Sequence, residues 1–154
     1  MLNLYRNPSL VCFIAPTTSK LWILVPLFYT LILQVLTGIP KPDAMIQFST
    51  NEMLVRFAEE LFDYPYWLQD LSHLPLFFGY SWSWHWYFLR KNQTKKGLKL
   101  ALLLSFTYAI LNEILQVFIP QRFPSIGDIT MNLAGVFLAA ITHRLGFKNL
   151  HSRI

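Results

Sequence analysis

The sequence predicts an all-α membrane protein, with four transmembrane helices in a bundle and a short amphipathic helix on the membrane surface. Three observations support this prediction. Hydrophobic residues make up 54% of the 154 residues and charged residues only 14%, well below the roughly 25% that is usual in soluble domains. Long apolar runs recur along the chain. Aromatic residues, 16% of the total, gather near the ends of those runs, as in the interfacial belts of membrane proteins.

The four predicted spans are residues 21–39, 71–89, 98–119 and 126–141. The first carries no charge, and its 19 residues, at about 1.5 Å each, just cross a hydrocarbon core of about 30 Å. Pro26 lies inside this span and predicts a kink. Pro40 and Pro42 end it, because proline cannot continue a helix. Residues 1–20 are expected to form an interfacial or irregular lead-in.

The first long connection carries the predicted surface helix, within residues 51–68. Apolar and charged side chains alternate there at helical spacing, with Met53, Leu54, Phe57 and Leu61 against Glu52, Arg56, Glu59, Glu60 and Asp63. Such a pattern is typical of a helix that lies in the membrane interface.

The later spans differ in their polar content. The second has His73 close to its start and Pro75 in its first turns, where a missing N–H costs little. The third is apolar as far as Asn112. The fourth is short and contains Gly135 and Ala139, small residues that let helices approach closely.

The positive charges predict the topology. Ten of the 13 Lys and Arg residues lie in the N-terminal segment, the connection after the second span and the C-terminal tail, so the positive-inside rule places both termini in the cytoplasm. The predicted organisation is a lead-in (1–20), one membrane domain (21–142) and a basic cytoplasmic tail (143–154). The net charge of +5 then reflects topology rather than nucleic-acid binding. Cys12 is the only cysteine, which excludes an intramolecular disulfide.

Polar residues concentrate where the third and fourth spans are joined. They are Asn112, Glu113, Gln116, Arg122, Asp128 and Asn132. Such groups are costly at membrane depth and indicate a functional site. Residues 113 and 116 share one helix face, as do 128 and 132. Because Asp70 and His73 begin the second span from the same side, we expect three helix ends to bring these groups together at the outer membrane face.

Several of these residues also have a structural explanation. Ser125 and Asp128 have the spacing of a capping box, which alone would account for both. Arg122 can pair with Glu113 or Asp128 and so lower the cost of charge near lipid. The side chains of Gln116 and Asn132 can join helices through hydrogen bonds worth about 1 kcal/mol each. These alternatives stay open at the level of sequence.

Glu113 is the residue that structure alone explains least. It lies roughly two turns before Pro120, inside the helix, and a carboxyl group in an apolar setting is a candidate proton donor or acceptor. His73 is expected to face the same side. His85 lies among tryptophans and is expected to be structural.

Other kinds of site find less support. His73, Glu113 and Asp128 would suit zinc or manganese, but their spacing matches no metal signature, and we predict neither a metal nor a cofactor. Ser125 has no nucleophile elbow. The sequence contains no phosphate loop, no nucleotide fingerprint and no nucleic-acid motif.

The pattern E-x-x-Q-x-F-x-P-x-R-x-x-S-x-x-D-x-x-x-N-x-x-G resembles the VanZ-like family of small bacterial membrane proteins. It is carried by Glu113, Gln116, Phe118, Pro120, Arg122, Ser125, Asp128, Asn132 and Gly135, and the resemblance covers residues 65–142. The family pattern includes a histidine in the preceding span, which His73 matches. Asp70 and Phe77 stand where Lys and Tyr are common in the family.

The resemblance implies a cell-envelope role in the bacterial cytoplasmic (inner) membrane. The family is named for a protein that lowers susceptibility to the glycopeptide antibiotic teicoplanin, which supplies no reaction. One hypothesis is a protein that binds a lipid-linked or polar ligand through Asp70, Gln116, Arg122, Asp128 and Asn132. A second is a membrane-embedded enzyme acting on an envelope lipid or a cell-wall precursor, with Glu113 and His73 as acid and base. A third is a structural helper.

Overall fold

The computed structural model describes residues 19–47, 50–63, 65–88, 94–123 and 125–151. These residues form helices and connections, with no β-strand among them. The helices are α1 (Leu24–Thr37, after a 3-10 turn at Lys20–Ile23), α2 (Pro42–Gln47), α3 (Glu52–Phe62), α4 (Tyr66–Phe88), α5 (Thr94–Gln116) and α6 (Ile126–His151). Most of the predicted lead-in, including Cys12, lies outside the described residues.

Within this part of the chain, three helical segments are long and apolar enough to cross a membrane. They are Lys20–Thr37, Lys96–Gln116 and Ile126–Gly146, which correspond to the first, third and fourth predicted spans. Leu31, Leu103 and Ile141 on these segments are each more than half exposed, as expected of lipid-facing side chains. Helix α4 has 23 residues and is long enough to span, but its Gln, Asp, His and Ser side chains make it less apolar.

Several helices differ in extent from the predicted segments. The surface helix ends at Phe62 rather than 68, because Pro65 cannot extend it. Helix α4 therefore begins at Tyr66 instead of residue 71, and Pro75 lies in its interior rather than in its first turns. Such a proline leaves the carbonyl of the residue four positions before it without its helical donor. Helix α6 continues past residue 141 to His151, so the described part of the predicted tail is helical.

Helix α4 is the centre of the bundle, and its largest contact is with α6. It also packs against α5 and α1. The buried core consists of Leu33, Phe77, Tyr80, Ala109 and Val136, one or two residues from each of the four long helices α1, α4, α5 and α6. Their burial holds α4 between its three neighbours.

Gly135 permits the closest approach between α4 and α6. A Cβ atom at this position would lie 2.4 Å from the carbonyl oxygen of Leu74 and 2.9 Å from the amide nitrogen of Phe78. Both are backbone atoms, so no side-chain movement could make room. Gly135 thus lets α6 pack closely against the backbone of α4 at Leu74 and Phe78. This contact also brings the preceding turn of α6 next to His73.

Helix α1 touches α4 around Tyr29. The Tyr29 hydroxyl donates to the carbonyl oxygen of Leu76 at 3.0 Å, and a Cβ atom at Gly79 would lie 2.4 Å from that hydroxyl. Near its C-terminal end, α1 instead contacts α5, where the Thr37 hydroxyl donates a hydrogen bond to the Asn112 side chain.

We predict that Gly135→Ala destabilises the protein. Alanine gains about 1 kcal/mol of helix propensity, but overpacking against fixed backbone costs about 1–3 kcal/mol, so the net loss reaches about 2 kcal/mol. Thermal unfolding in detergent measures it. The matched control is Gly146→Ala, at a partly exposed position further along α6, which should unfold at or above the wild-type temperature. A Gly135→Ala variant as stable as wild type would contradict the close α4–α6 contact.

Candidate functional site

Polar side chains from the four long helices meet at one end of the bundle. This end joins the C-terminal turns of α1 and α5 to the N-terminal halves of α4 and α6. We call the following buried residues the polar cluster: Thr37, His73, Asn112, Glu113, Asp128 and Asn132. Buried polar groups are expensive unless hydrogen-bonded, so their partners decide what the cluster can do.

Asn132 connects three helices. Its amide nitrogen donates to the Glu113 carboxylate oxygen Oε1 at 2.8 Å, and its oxygen Oδ1 lies 2.9 Å from Nδ1 of His73. A carboxylate only accepts hydrogen bonds, so the amide group must face Glu113 and Oδ1 must accept from His73. The Nδ1 atom of His73 therefore carries a proton, and Nε2 is the ring nitrogen whose protonation can change.

A second branch of hydrogen bonds reaches Glu113 from α1. The Thr37 hydroxyl donates to the Asn112 oxygen at 2.8 Å, and the Asn112 amide lies 3.4 Å from the same Glu113 oxygen, Oε1. That oxygen thus receives amide groups from both Asn112 and Asn132. Glu113 is therefore the centre of a network that joins α1, α4, α5 and α6.

His73 lies between two carboxylates. Its Nε2 is 3.6 Å from Oδ1 of Asp128, and its Nδ1 is 3.9 Å from Oε1 of Glu113. Each carboxylate faces a different ring nitrogen, so the three groups do not converge on one point. Across the described ranges, no three His, Cys, Asp or Glu side chains are arranged to hold a metal ion together.

The capping pattern accounts for Ser125 but not for Asp128. The Ser125 hydroxyl accepts from the Gly127 amide at 3.0 Å, which caps the start of α6. Asp128 instead faces His73 and lies close enough to the Asp70 carboxyl group to interact with it. Asp70 is brought there by the missing side chain of Gly127, whose Cβ would lie 2.5 Å from an Asp70 oxygen.

A tight turn positions Arg122 beside the cluster. The Arg122 amide donates to the Ile119 carbonyl at 3.1 Å, with Pro120 second in the turn and Gln121 third at a positive φ of 59°. This is the pattern of a type II turn. The Arg122 Nε then donates to the Ile39 carbonyl at 3.2 Å, which fixes the guanidinium group near the end of α1.

Two opposing effects act on the Arg122 charge. Burial lowers its pKa, because desolvation disfavours the cation, while the nearby charges of Asp128 and Glu113 raise it. Arginine has so high an unperturbed pKa that it stays protonated in proteins. The loop between α5 and α6 therefore holds a partly buried positive charge next to the polar cluster.

A cavity of about 800 Å³ adjoins the polar cluster between the end of α1 and the N-terminal half of α4. This volume falls in the range of small-molecule sites, about 300–1,000 Å³. Its polar lining residues are Thr37, Gln69, Ser72, His73 and Arg122. None of the described lining residues is acidic, so a ligand would contact His73 and Arg122 rather than the carboxylates of the cluster.

The predicted site residues thus occupy three positions. His73, Glu113, Asp128 and Asn132 lie together, and Asp70 adjoins Asp128. Arg122 lines the cavity. Gln116 is buried one turn after Glu113, and its Nε2, like Oε2 of Glu113, has no hydrogen-bond partner among the described residues.

Sequence reasoning missed Thr37 and, although it listed Asn112 among the polar residues, gave Asn112 no partner. Thr37 is a polar residue inside a predicted span, which is the signal that could have identified it. His85 lies three helical turns along α4 from His73, where its Nδ1 donates to its own helix at the Ser81 carbonyl, 2.8 Å away. Its expected structural role stays a prediction.

One comparison with known proteins gives a match. A family model described as VanZ/LLP1 matches residues 23–147, which include every residue of the polar cluster. The resemblance found in the motif is thereby confirmed. No curated protein and no solved structure matches the chain.

We predict that His73 keeps a proton on Nδ1 at every pH at which the protein is folded, because Asn132 accepts from it. The ¹⁵N shifts of labelled histidine report which nitrogen is protonated, and subtraction of a His73→Gln spectrum assigns the signal among the four histidines. An Asn132→Leu variant should lose this preference. A wild-type spectrum with a bare Nδ1 and a protonated Nε2 would contradict the hydrogen-bond directions in the network.

Proposed function

This chain belongs to the VanZ/LLP1 family, and we propose that it is a cell-envelope membrane protein that binds a polar ligand at one membrane face. The observation that carries the proposal is the cavity beside the polar cluster, which is large enough for a small molecule and is lined by His73 and Arg122. A bundle held together by polar contacts alone would need no such space. A role in glycopeptide susceptibility of the teicoplanin type is part of the proposal only through the family name.

The charges around the cavity favour a ligand that is anionic or rich in hydrogen-bond acceptors. Arg122 supplies a positive charge, and Gln69, Ser72 and Thr37 supply neutral polar groups. The acidic residues Glu113 and Asp128 lie next to His73 but are not among the described residues that line the cavity. An anionic group in the cavity would therefore meet the guanidinium first, and charge-assisted hydrogen bonds of this kind are among the strongest in proteins.

A second candidate function, catalysis on an envelope lipid or a cell-wall precursor, is favoured by the fixed orientation of His73. With Nδ1 held by Asn132, Nε2 is the atom that can accept or release a proton, as in sites where a histidine acts as general acid or base. Glu113 is almost fully buried and does not line the cavity. In this reading His73 would contact the substrate, and Glu113 would position it through Asn132.

The proposed topology has four spans, with α4 as the fourth alongside the three apolar segments. Its 23 residues extend about 34 Å at 1.5 Å per residue, and its contacts with α1, α5 and α6 support the same depth for it. The distribution of Lys and Arg supports cytoplasmic termini in a bacterial inner membrane. The cavity would then open at the outer face, with α3 lying on that surface.

Loss of the cavity charge tests the binding proposal. We expect Arg122→Gln to weaken binding of sn-glycerol 1-phosphate, the simplest anionic headgroup, by roughly tenfold to a hundredfold, because a hydrogen bond to a charged group contributes about 1.5–3 kcal/mol. Ligand-detected NMR on the purified protein measures it. Arg144→Gln, which removes an exposed cation elsewhere on α6, is the control. If Arg122→Gln and His73→Gln both fold and bind as wild type does, the cavity is not the site.

Cysteine labelling tests the topology. In a Cys12→Ser background, we expect Glu59→Cys on α3 to react with a membrane-impermeant maleimide in intact cells. Lys96→Cys at the start of α5 should react only after the membrane is opened. Both positions are exposed, so access to the reagent decides the outcome. The reverse labelling pattern would place the cavity on the cytoplasmic side.

A further inference from the structure

The cavity has two kinds of lining residue. Among the described residues, five are polar, and the remaining six are leucines and a proline. Those apolar residues are Leu36 on α1, and Leu68, Leu71, Leu74, Pro75 and Leu76 on α4. Six apolar lining residues would contribute little to the binding of a fully water-soluble ion. The lining therefore has the character of a site for a molecule that is polar at one end and apolar along the rest.

The cavity arises because α1 and α4 separate along their length. They touch where the Tyr29 hydroxyl meets the Leu76 carbonyl and where its ring covers Gly79. Nearer the polar cluster, Leu36 and Thr37 stand across the cavity from α4, and Thr37 bonds to α5 instead. The gap therefore lies between the Tyr29 contact and the end of the bundle that holds the polar cluster.

The gap is open on its side. Three of its lining residues on α4, Leu71, Ser72 and Pro75, are exposed, and the side chain of Leu71 shows 42% of its surface. These residues lie within a helix that our topology places in the membrane. In that topology the opening faces the hydrocarbon of the bilayer, so a membrane lipid could enter without first passing through water.

We propose that the occupant is an anionic, phosphate-bearing membrane lipid that enters sideways between α1 and α4. The inference rests on the proposed function and names the class of its ligand. The phosphate would lie at Arg122, with Gln69 and His73 beside it, and one acyl chain would follow Leu71 and Leu76 along α4. From residue 68 to residue 76 the helix rises about 12 Å, which accommodates the upper part of a chain while the rest stays in the bilayer.

The two ends of the lipid would contribute differently. The chain exchanges bilayer hydrocarbon for leucine side chains of similar polarity, so it adds little discrimination between lipids. The head exchanges the membrane interface for a guanidinium group and neutral donors, and the described lining residues include no carboxylate. Among lipids, those with an anionic headgroup should therefore bind more tightly. A lipid should also bind more tightly than its free headgroup, because only the lipid has an acyl chain.

The test compares three probes on the full chain purified in a neutral detergent, with native mass spectrometry as the readout. The probes are phosphatidylglycerol, phosphatidylcholine of the same acyl chains, and sn-glycerol 1-phosphate. Arg122→Gln removes the proposed head contact. Leu71→Trp fills the side opening, and Ser72→Phe is a second blocking variant should the first fail to fold. Leu111→Trp is the matched control, because Leu111 is similarly exposed, at 46%, but lies on α5 outside the cavity.

The proposal expects wild type to retain phosphatidylglycerol at least tenfold more than phosphatidylcholine. Arg122→Gln and a folded blocking variant should each reduce that retention at least tenfold, and Leu111→Trp should leave it unchanged. If sn-glycerol 1-phosphate displaces phosphatidylglycerol at equal concentration and the blocking variants bind normally, the lipid inference is overturned while the polar-ligand proposal stands. Equal retention of both lipids would overturn the anionic head. If Arg122→Gln changes the binding of no probe, both proposals fail.

Discussion

The buried Glu113 carboxylate is the group on which the rest of the structure depends. A carboxylate in the apolar part of a bundle is tolerated only with hydrogen-bond donors around it. Asn112 supplies one from the same helix and Asn132 supplies the other from α6. Each of these amides then uses its oxygen to receive a further donor, Thr37 on α1 and His73 on α4. The hydrogen bonds to this one oxygen, Oε1, thus connect four helices at a single depth and leave His73 with one defined tautomer.

The network requires a close approach of backbones that only small residues allow. Gly135 follows Asn132 by one turn of α6, and Leu74, whose carbonyl it touches, follows His73 directly. A larger residue at 135 would move α6 away from α4 and lengthen the hydrogen bond between His73 and Asn132. The motif's glycine and its asparagine therefore serve the same contact, one by removing bulk and the other by supplying the bond.

The helices and the polar segment could be predicted from the sequence, because both depend on local composition and spacing. Apolar runs set three of the spans, and the polar positions from 113 to 135 carried the family resemblance. The start of α4 was missed because the 51–68 pattern continued past Pro65 at helical spacing. The role of Asp128 was ambiguous, since a capping box and a contact with His73 have the same local signature. The cavity was missed because it depends on how α1 and α4 diverge, which no local pattern encodes.

The central claim is that Glu113 and Asn132 act as a coupled pair within the bundle. A double-mutant cycle with Glu113→Leu, Asn132→Leu and the double variant, measured by reversible unfolding in detergent, tests it most directly, because leucine at either position removes the hydrogen bond. The account predicts a coupling free energy at or above the average of about 0.6 kcal/mol measured for hydrogen bonds between membrane helices, whose maximum is about 1.7 kcal/mol. Strictly additive effects of the two substitutions would contradict the network and, with it, the fixed orientation of His73.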